Sequence, residues 1–427
     1  MSDPCTLSAL EAITAVAQAE LTVAALVDHA LARIAEIEPR VGAWQHLDAA
    51  QARDAAGMLD RNAAAGPLRG MLVGVKDVID TVQMPTSYGS RAYAGFRPAC
   101  DAAVVARLRA AGALVMGKTV TTEFAAGGAG QTRNPYNPAH TPGGSSSGSA
   151  AAVATGMVHV ALGTQTAGSV IRPAAFCGVV GYKPSHELID RSGAKTLAGS
   201  FDTIGVLARA VRDVAFFTGV VSDRPGLAVP DTPAAPRVAL YRSEAAELIE
   251  PATEQALQRA VAALAARGVK VPERPLLAGY DDLLRIHADI AAWEVRRVLF
   301  FEQHFLADLL HPVTRAMYAQ GTEGASAARH DAAQRDARVA RANVDALFGD
   351  ADVLLTPAAP GEAPVGLERT GDPSFCRGWM VLGAPCITIP AGFGSQGLPV
   401  GVQLVGRPGD DACLLRAAAF LEAALAA

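Results

Sequence analysis

The chain reads as an α/β protein with a mostly buried sheet and a helical insertion, and three observations predict this. Short apolar runs alternate with helix-period segments between about residues 70 and 220. Apolar strand-like runs return after residue 350. Between these two blocks, about 279–348 is rich in Arg, Asp and Ala and reads as helical. Strand-forming segments therefore flank the helical region, which argues for one large domain over 1–427. The 427 residues are 50% hydrophobic, ample for a large core. Only 5% are aromatic and 41 are glycine, so packing should rely on close backbone approach.

Residues 1–65 read as amphipathic helices. In ALVDHALARIAEIEP, Leu26, Ala30 and Ile34 recur at helical spacing, and Pro39 is expected to end the run. A strand is expected over 71–79, a helix over 102–111 and a buried strand over 113–116. Residues 127–149 are rich in Gly, Ser, Asn and Pro, hence loop. A small-residue helix over 150–155 and a strand over 158–162 follow, and a helix is expected near 211–220. The segment 222–237 (SDRPGLAVPDTPAAPR) has four prolines and no period, so it reads as a connector. After it come a strand over 238–241, a helix carrying Leu257, Val261 and Leu264 on one face, and the helical region. Within the closing block, 350–427, strands are expected over 352–355, 386–389 and 401–405, then a helix over about 410–425.

Composition narrows the function. The net charge of −5 is dispersed and no long basic block occurs, which argues against nucleic acid or an anionic membrane as partner. No run of 18 apolar residues exists. The six cysteines form no C-x-x-C pair, and no H-E-x-x-H or Cys/His cluster is present. Reduced thiols, no metal, no organic cofactor and a cytoplasmic location are the expectations. The N-terminus lacks the basic start and apolar stretch of a signal peptide.

Two familiar patterns are decoys. Gly112 to Thr119 spells G-x-x-x-x-G-K-T, yet a helix pattern precedes it and its middle is apolar and strand-like. A phosphate loop needs a preceding strand and amides aimed at the ligand. Gly144 to Gly148 fits G-x-S-x-G, yet Thr141-Pro142-Gly143 ahead of it is loop rather than strand. That elbow also needs a histidine, and His159 and His186 sit in no supporting pattern.

Lys76 lies in LVGVKDVID, Ser145 in PGGSSSGSAAAV and Ser169 in LGTQTAGSVIRPAAFCG. A lysine serves as a base only when neutral. At its ordinary pKa that form costs roughly 4–5 kcal/mol at pH 7, and burial reduces the cost. Strand alternation leaves two readings for Lys76, a buried base or a solvated face, and turns Asp77 to the opposite side. The run 143–149 is either a flexible loop or a tight loop opening a helix of small residues. In the second run, Thr166, Ala167, Gly168 and Ser169 can offer several amides to one oxygen, a donor set worth roughly 3–4 kcal/mol per donor in hydrolases.

Order and spacing of these three residues resemble the amidase signature family of serine hydrolases. The resemblance is strongest over 72–185 and weaker in ITIPAGFGSQGLPVGVQLVGRPGDD. It implies α/β/α layers around a large mixed, twisted sheet. It implies amide hydrolysis through an acyl-enzyme, with Ser169 as nucleophile, Ser145 as the bridging serine beside a cis peptide bond, and Lys76 as base. Ser169 follows Ser145 by 24 positions, as the family's loop requires, which selects Ser145 over its serine neighbours. The residues 166–169 would form the oxyanion hole. Gly143, Gly144, Ser146, Thr132, Gln165 and Arg172 are the substrate-side candidates, with 84–89 as a pocket wall and the helical region on the leaving-group side. Arg172 is either a core residue, as in many amidases, or a reader of a substrate carboxylate, as in malonamidase-like members. The chain departs from the family's T-D-T-G-G-S at Gln165 and Ala167. The Gln form resembles small bacterial amidases and counts against the amidotransferase subunits, which usually carry Asp. The expected partner is a small-molecule amide, with a homodimer as an option. An amidotransferase subunit feeding ammonia to a partner protein is the first rival reading, and an inactive scaffold the second.

Overall fold

The computed structural model describes residues 4–62 and 66–427. Residues 63–65, the end of the expected N-terminal helical region, lie outside it. Eleven strands are present: β1 Trp44–Leu47, β2 Leu72–Lys76, β3 Leu114–Thr119, β4 Val160–Gln165, β5 Val180–Lys183, β6 Thr203–Ala208, β7 Val238–Tyr241, β8 Glu273–Arg274, β9 Val353–Pro357, β10 Cys386–Phe393 and β11 Pro399–Gly406. They form one sheet in the order β1-β3-β2-β4-β6-β5-β10-β11-β9-β7-β8. β2 runs parallel to both β3 and β4, whereas β4 to β9 across the centre are joined antiparallel. The sheet is thus mixed, as expected.

Helices cover both faces, and strand alternation assigns the residues. Ile387, Ile389, Val402 and Leu404 join one core with Leu257 and Leu414 of the helices Pro251–Ala266 and Asp411–Leu425. Their neighbours Cys386 and Val405 turn to the other core, with Phe348 and Trp379. Burial on both faces explains why these strands read as continuous apolar runs.

The region 279–348 is helical as its composition predicts: Leu283–Val298, Phe300–Phe305, Pro312–Thr322, Ala327–Ala342 and Val344–Phe348. Ala333, Ala337 and Ala340 of the fourth helix pack on Ile286 and Ile290 of the first, and their small side chains permit close approach. No helix among the described residues is long and apolar enough to cross a membrane.

Some local expectations need correction. Pro39 does not end its helix, which runs Val23–Val41 and stops at Gly42 in the left-handed region (φ 63). Pro39 sits inside the last turn, and the helix runs two residues beyond it. Trp44–Leu47 is a strand inside the block read as helical; it pairs antiparallel with β3 on the sheet's edge. β3 extends through the G-K-T segment to Thr119, because Lys118 finds buried partners that its charge alone does not advertise.

Candidate active site

Parallel pairing brings the carboxyl ends of β2 and β4 together, with Val75 beside Leu162. Ligand crevices form at such ends. β2 finishes at Lys76. β4 finishes at Gln165 and breaks into a loop carrying Thr166 to Ser169, which leads into the helix Ile171–Cys177. The serine-rich segment enters from the side and opens the helix Ser147–Ala154, and its Gly144–Ser145 peptide is cis.

Glycine is required where these segments meet. Gly143 has φ 81, and a Cβ there would fall 2.7 Å from Pro173 Cα. At Gly148 a Cβ would stand 2.3 Å from the Ala43 carbonyl oxygen. The two loops are also tied directly, the Ser146 amide donating to the Ser169 carbonyl at 3.2 Å. The Gly/Ser run is therefore a tight, buried loop and not a flexible one.

Lys76 is fully buried. Its Nζ lies 2.8 Å from Ser145 Oγ, 2.8 Å from Thr164 Oγ1 and 3.2 Å from the Thr164 carbonyl oxygen. No carboxylate touches it among the described residues. Burial pushes its pKa well below the ordinary lysine value, opposed by the charge of Asp202. Asp202 accepts from the Thr166 hydroxyl at 2.6 Å and from the amides of Leu197 and Ala198. Burial raises the Asp202 carboxyl to about 6 against these donors.

Ser145 and Ser169 share the wall of one cavity of about 430 Å³, with Thr166 and Ala167 beside them. Its far side comes from the helical region, including Ala291, Met317 and Tyr318. Ser169 Oγ makes no hydrogen bond with the described residues, and neither do the amides of Ala167, Gly168 and Ser169. The three unengaged amides leave donors free for an oxygen in the cavity, while the chain of hydrogen bonds from Lys76 stops at Ser145, without a bond from Ser145 to Ser169.

The other candidates fall into place differently. Gln165 Oε1 accepts from the amides of Val170 and Ile171 at 2.8 and 3.0 Å, so its side chain braces the loop from within. Ser146 Oγ bonds to the Thr164 backbone, and Thr132 donates to the Gly42 carbonyl at 2.8 Å. The Gly144 carbonyl accepts from Arg172 at 2.7 Å. Of the six substrate-side candidates, Arg172 alone lines the cavity; Gly143, Gly144, Ser146, Thr132 and Gln165 do not. The segment 84–89 does not line it either: Met84 and Tyr88 are core, with the Tyr88 hydroxyl on Asp80 at 2.9 Å. Side-chain direction, which spacing does not report, decides each case.

Both decoys fail on geometry. Lys118 is buried in β3, donating to Ile79 O and Thr86 Oγ1, with Asp77 Oδ1 at 3.3 Å. His159 is buried under the sheet, accepting from the Leu72 amide, and burial lowers its pKa to about 3. Neither His159 nor His186 lines the cavity.

Four residues went unnoticed in the sequence: Thr164, Asp202, His287 and Arg377. His287 Nε2 donates to the Thr166 carbonyl at 2.9 Å and its ring stacks on Phe201 at 4.5 Å. Burial lowers its pKa to about 4, so it stays neutral at pH 7. His287 and Arg377 come from segments more than a hundred residues beyond the loops they serve, and no local pattern marks them.

Comparison with known proteins places this geometry. The chain is 37% identical over 456 residues to a glutamyl-tRNA(Gln) amidotransferase subunit of Chloroflexus aggregans, covering 94% of this chain and 93% of that protein. Its fold matches a solved amidase with a TM-score of 0.88 at 30% identity, over 98% and 99% of the two chains. It also matches the peptide amidase of Stenotrophomonas maltophilia with a TM-score of 0.83 at 27% identity, over 99% and 97%. The first of these corrects one expectation. A small amide as the whole partner set, with no nucleic acid and at most a homodimer, is overturned, because that relative is by name one part of an assembly and its name includes a tRNA. The dispersed charge that suggested otherwise reports on basic blocks and not on assembly. The model of the amidase family matches residues 25–415, and the chain belongs to the amidase signature family.

Proposed function

We propose that the chain cleaves a carboxamide through an acyl-enzyme on Ser169. Neutral Lys76 accepts a hydrogen bond from the Ser145 hydroxyl and donates its own N–H groups to Thr164. Ser145 in turn takes the proton of Ser169 as Ser169 Oγ attacks the carbonyl carbon. The amides of Ala167, Gly168 and Ser169 receive the oxyanion. The proton returns along the same path to the departing nitrogen, and water then releases the acid. The single observation that carries this reading is the buried Lys76 bonded to Ser145 beneath the cavity that exposes Ser169. All three side chains are present, which also weighs against an inactive scaffold.

The fate of the ammonia has two readings. Curated relatives named as amidotransferase subunits, up to 37% identical across nearly the whole chain, favour a role in supplying ammonia to a partner. The solved amidases, together with Gln165 and Ala167 in the loop, favour release to water. Ammonia release and intact mass decide both points. A stalled acyl adduct must map to Ser169, and its absence with a turned-over amide would refute the mechanism. An isolated chain that is inert until its copurifying proteins are added supports the amidotransferase reading. Robust release by the isolated chain supports the other.

A further inference from the structure

The cavity that holds Ser169 carries an unusual set of unsatisfied groups. Arg172 Nη1, Arg377 Nε, Thr122 Oγ1 and Thr314 Oγ1 are all buried without a partner, and all four residues line it. Buried polar groups are ordinarily paired, so each needs an explanation. Every one is a donor, and two belong to guanidiniums. The Arg172 guanidinium is otherwise committed to Thr370 O at 2.6 Å and Gly144 O at 2.7 Å, which leaves Nη1 beside Gly168. Arg377, in the helix Ser374–Leu382, is different: its guanidinium makes no hydrogen bond or ion pair with the described residues. Among the described residues the only carboxylate acting on it through charge is Asp372, which is not hydrogen-bonded to it, so its donors remain free to take a second anion.

The rest of the lining sharpens the point. It contains no Asp or Glu, and its one histidine, His287, is neutral. Nearby Asp372 is exposed, and its Oδ1 accepts from the Ser374 amide at 2.7 Å. The cavity therefore offers positive charge and, among its lining residues, no carboxylate to pair with an ammonium. We infer that Arg377 recognises a carboxylate on the acyl portion of the amide, and that the preferred substrates are carboxylate-bearing amides in which an α-amino group contributes nothing to binding. This rests on the amide-cleaving reading above and names its substrate class. An Arg–carboxylate pair changes affinity by about 10- to 100-fold.

Binding to Ser169→Ala, read by calorimetry, tests this apart from the chemistry. The probes are the monoamides of C4 and C5 dicarboxylic acids, their methyl esters, and glutamine. The acid monoamides should bind at least tenfold more tightly than their esters, and at least as tightly as glutamine. Arg377→Gln in the same background should collapse the acid-to-ester ratio towards one, and Arg377→Lys should restore part of it. Melting curves identify a variant that has merely unfolded, in which case the ratio in Ser169→Ala alone still decides. Equal binding of acid and ester, tighter binding of glutamine than of the C5 monoamide, or no binding of any probe at millimolar concentration overturns the inference. Tight binding of the acid monoamide by a wild-type chain that hydrolyses nothing would instead sink the proposed function and leave this inference standing.

Discussion

Two lysines on neighbouring strands, both fully buried, take opposite roles. Lys118 of β3 has the Asp77 carboxylate at 3.3 Å, with Thr86 Oγ1 and the Ile79 carbonyl as further acceptors. Lys76 of β2 has two hydroxyls and a carbonyl, and the nearest carboxylate that acts on it, Asp202, bonds to other groups. Burial lowers the pKa of both. In Lys118 the adjacent Asp77 pushes back, whereas Lys76 falls well below the ordinary value. Burial alone thus makes neither a base nor an ion pair. The identity of the acceptors decides which protonation state a buried lysine keeps.

The largest test of the contrast is chemical. Lys76→Ala and Ser169→Ala should each lower kcat by at least about a thousandfold, within the range for losing a positioned base or nucleophile. Their melting temperatures should stay near that of the wild type, since neither leaves a buried charge behind. Substantial turnover by Lys76→Ala would transfer the role of base elsewhere.

The second test reverses the outcome. Lys118→Met leaves the Asp77 carboxylate buried without its cation and should cost about 3–5 kcal/mol of stability. Denaturant midpoints read this directly. Activity should fall only in step with the unfolded fraction, so a stable but inactive Lys118→Met would erase the distinction between the two lysines.

A smaller effect probes the relay. Ser145→Ala should cost about a hundredfold in kcat, less than Lys76→Ala, because a water can replace the hydroxyl it removes. Loss equal to that of Lys76→Ala would make Ser145 indispensable to the path.

The smallest effect is a shift in pH dependence. The negative charge of Asp202 favours charged Lys76, so Asp202→Asn should lower the lysine pKa further. Neutral lysine is then reached at lower pH, and the acid limb of the kcat/KM profile should move down. A shift upward would show that the limb does not report Lys76.

Much of this was legible in the chain. Apolar runs with glycine punctuation gave the strands β2, β7, β10 and β11 because central strands bury both faces. The helical region was legible from its Arg, Asp and Ala content, since straight-chain and small residues favour the helix. Lys76, Ser145 and Ser169 were legible because each sits in a short motif whose residues all serve one local geometry. Trp44–Leu47 was missed because a four-residue edge strand carries too little pattern to stand out between two helices.

What the sequence determined by itself is the set of local constraints: which segments extend, which coil, and which loops need glycine. The tertiary structure alone decided which side chains meet. Thr132, Ser146 and Gln165 lie inside or beside the motifs yet turn away from the cavity to satisfy backbone groups. His287 and Arg377 lie far along the chain yet reach its wall. Strand pairing and helix packing set those directions through contacts between residues hundreds of positions apart, and no local spacing encodes them.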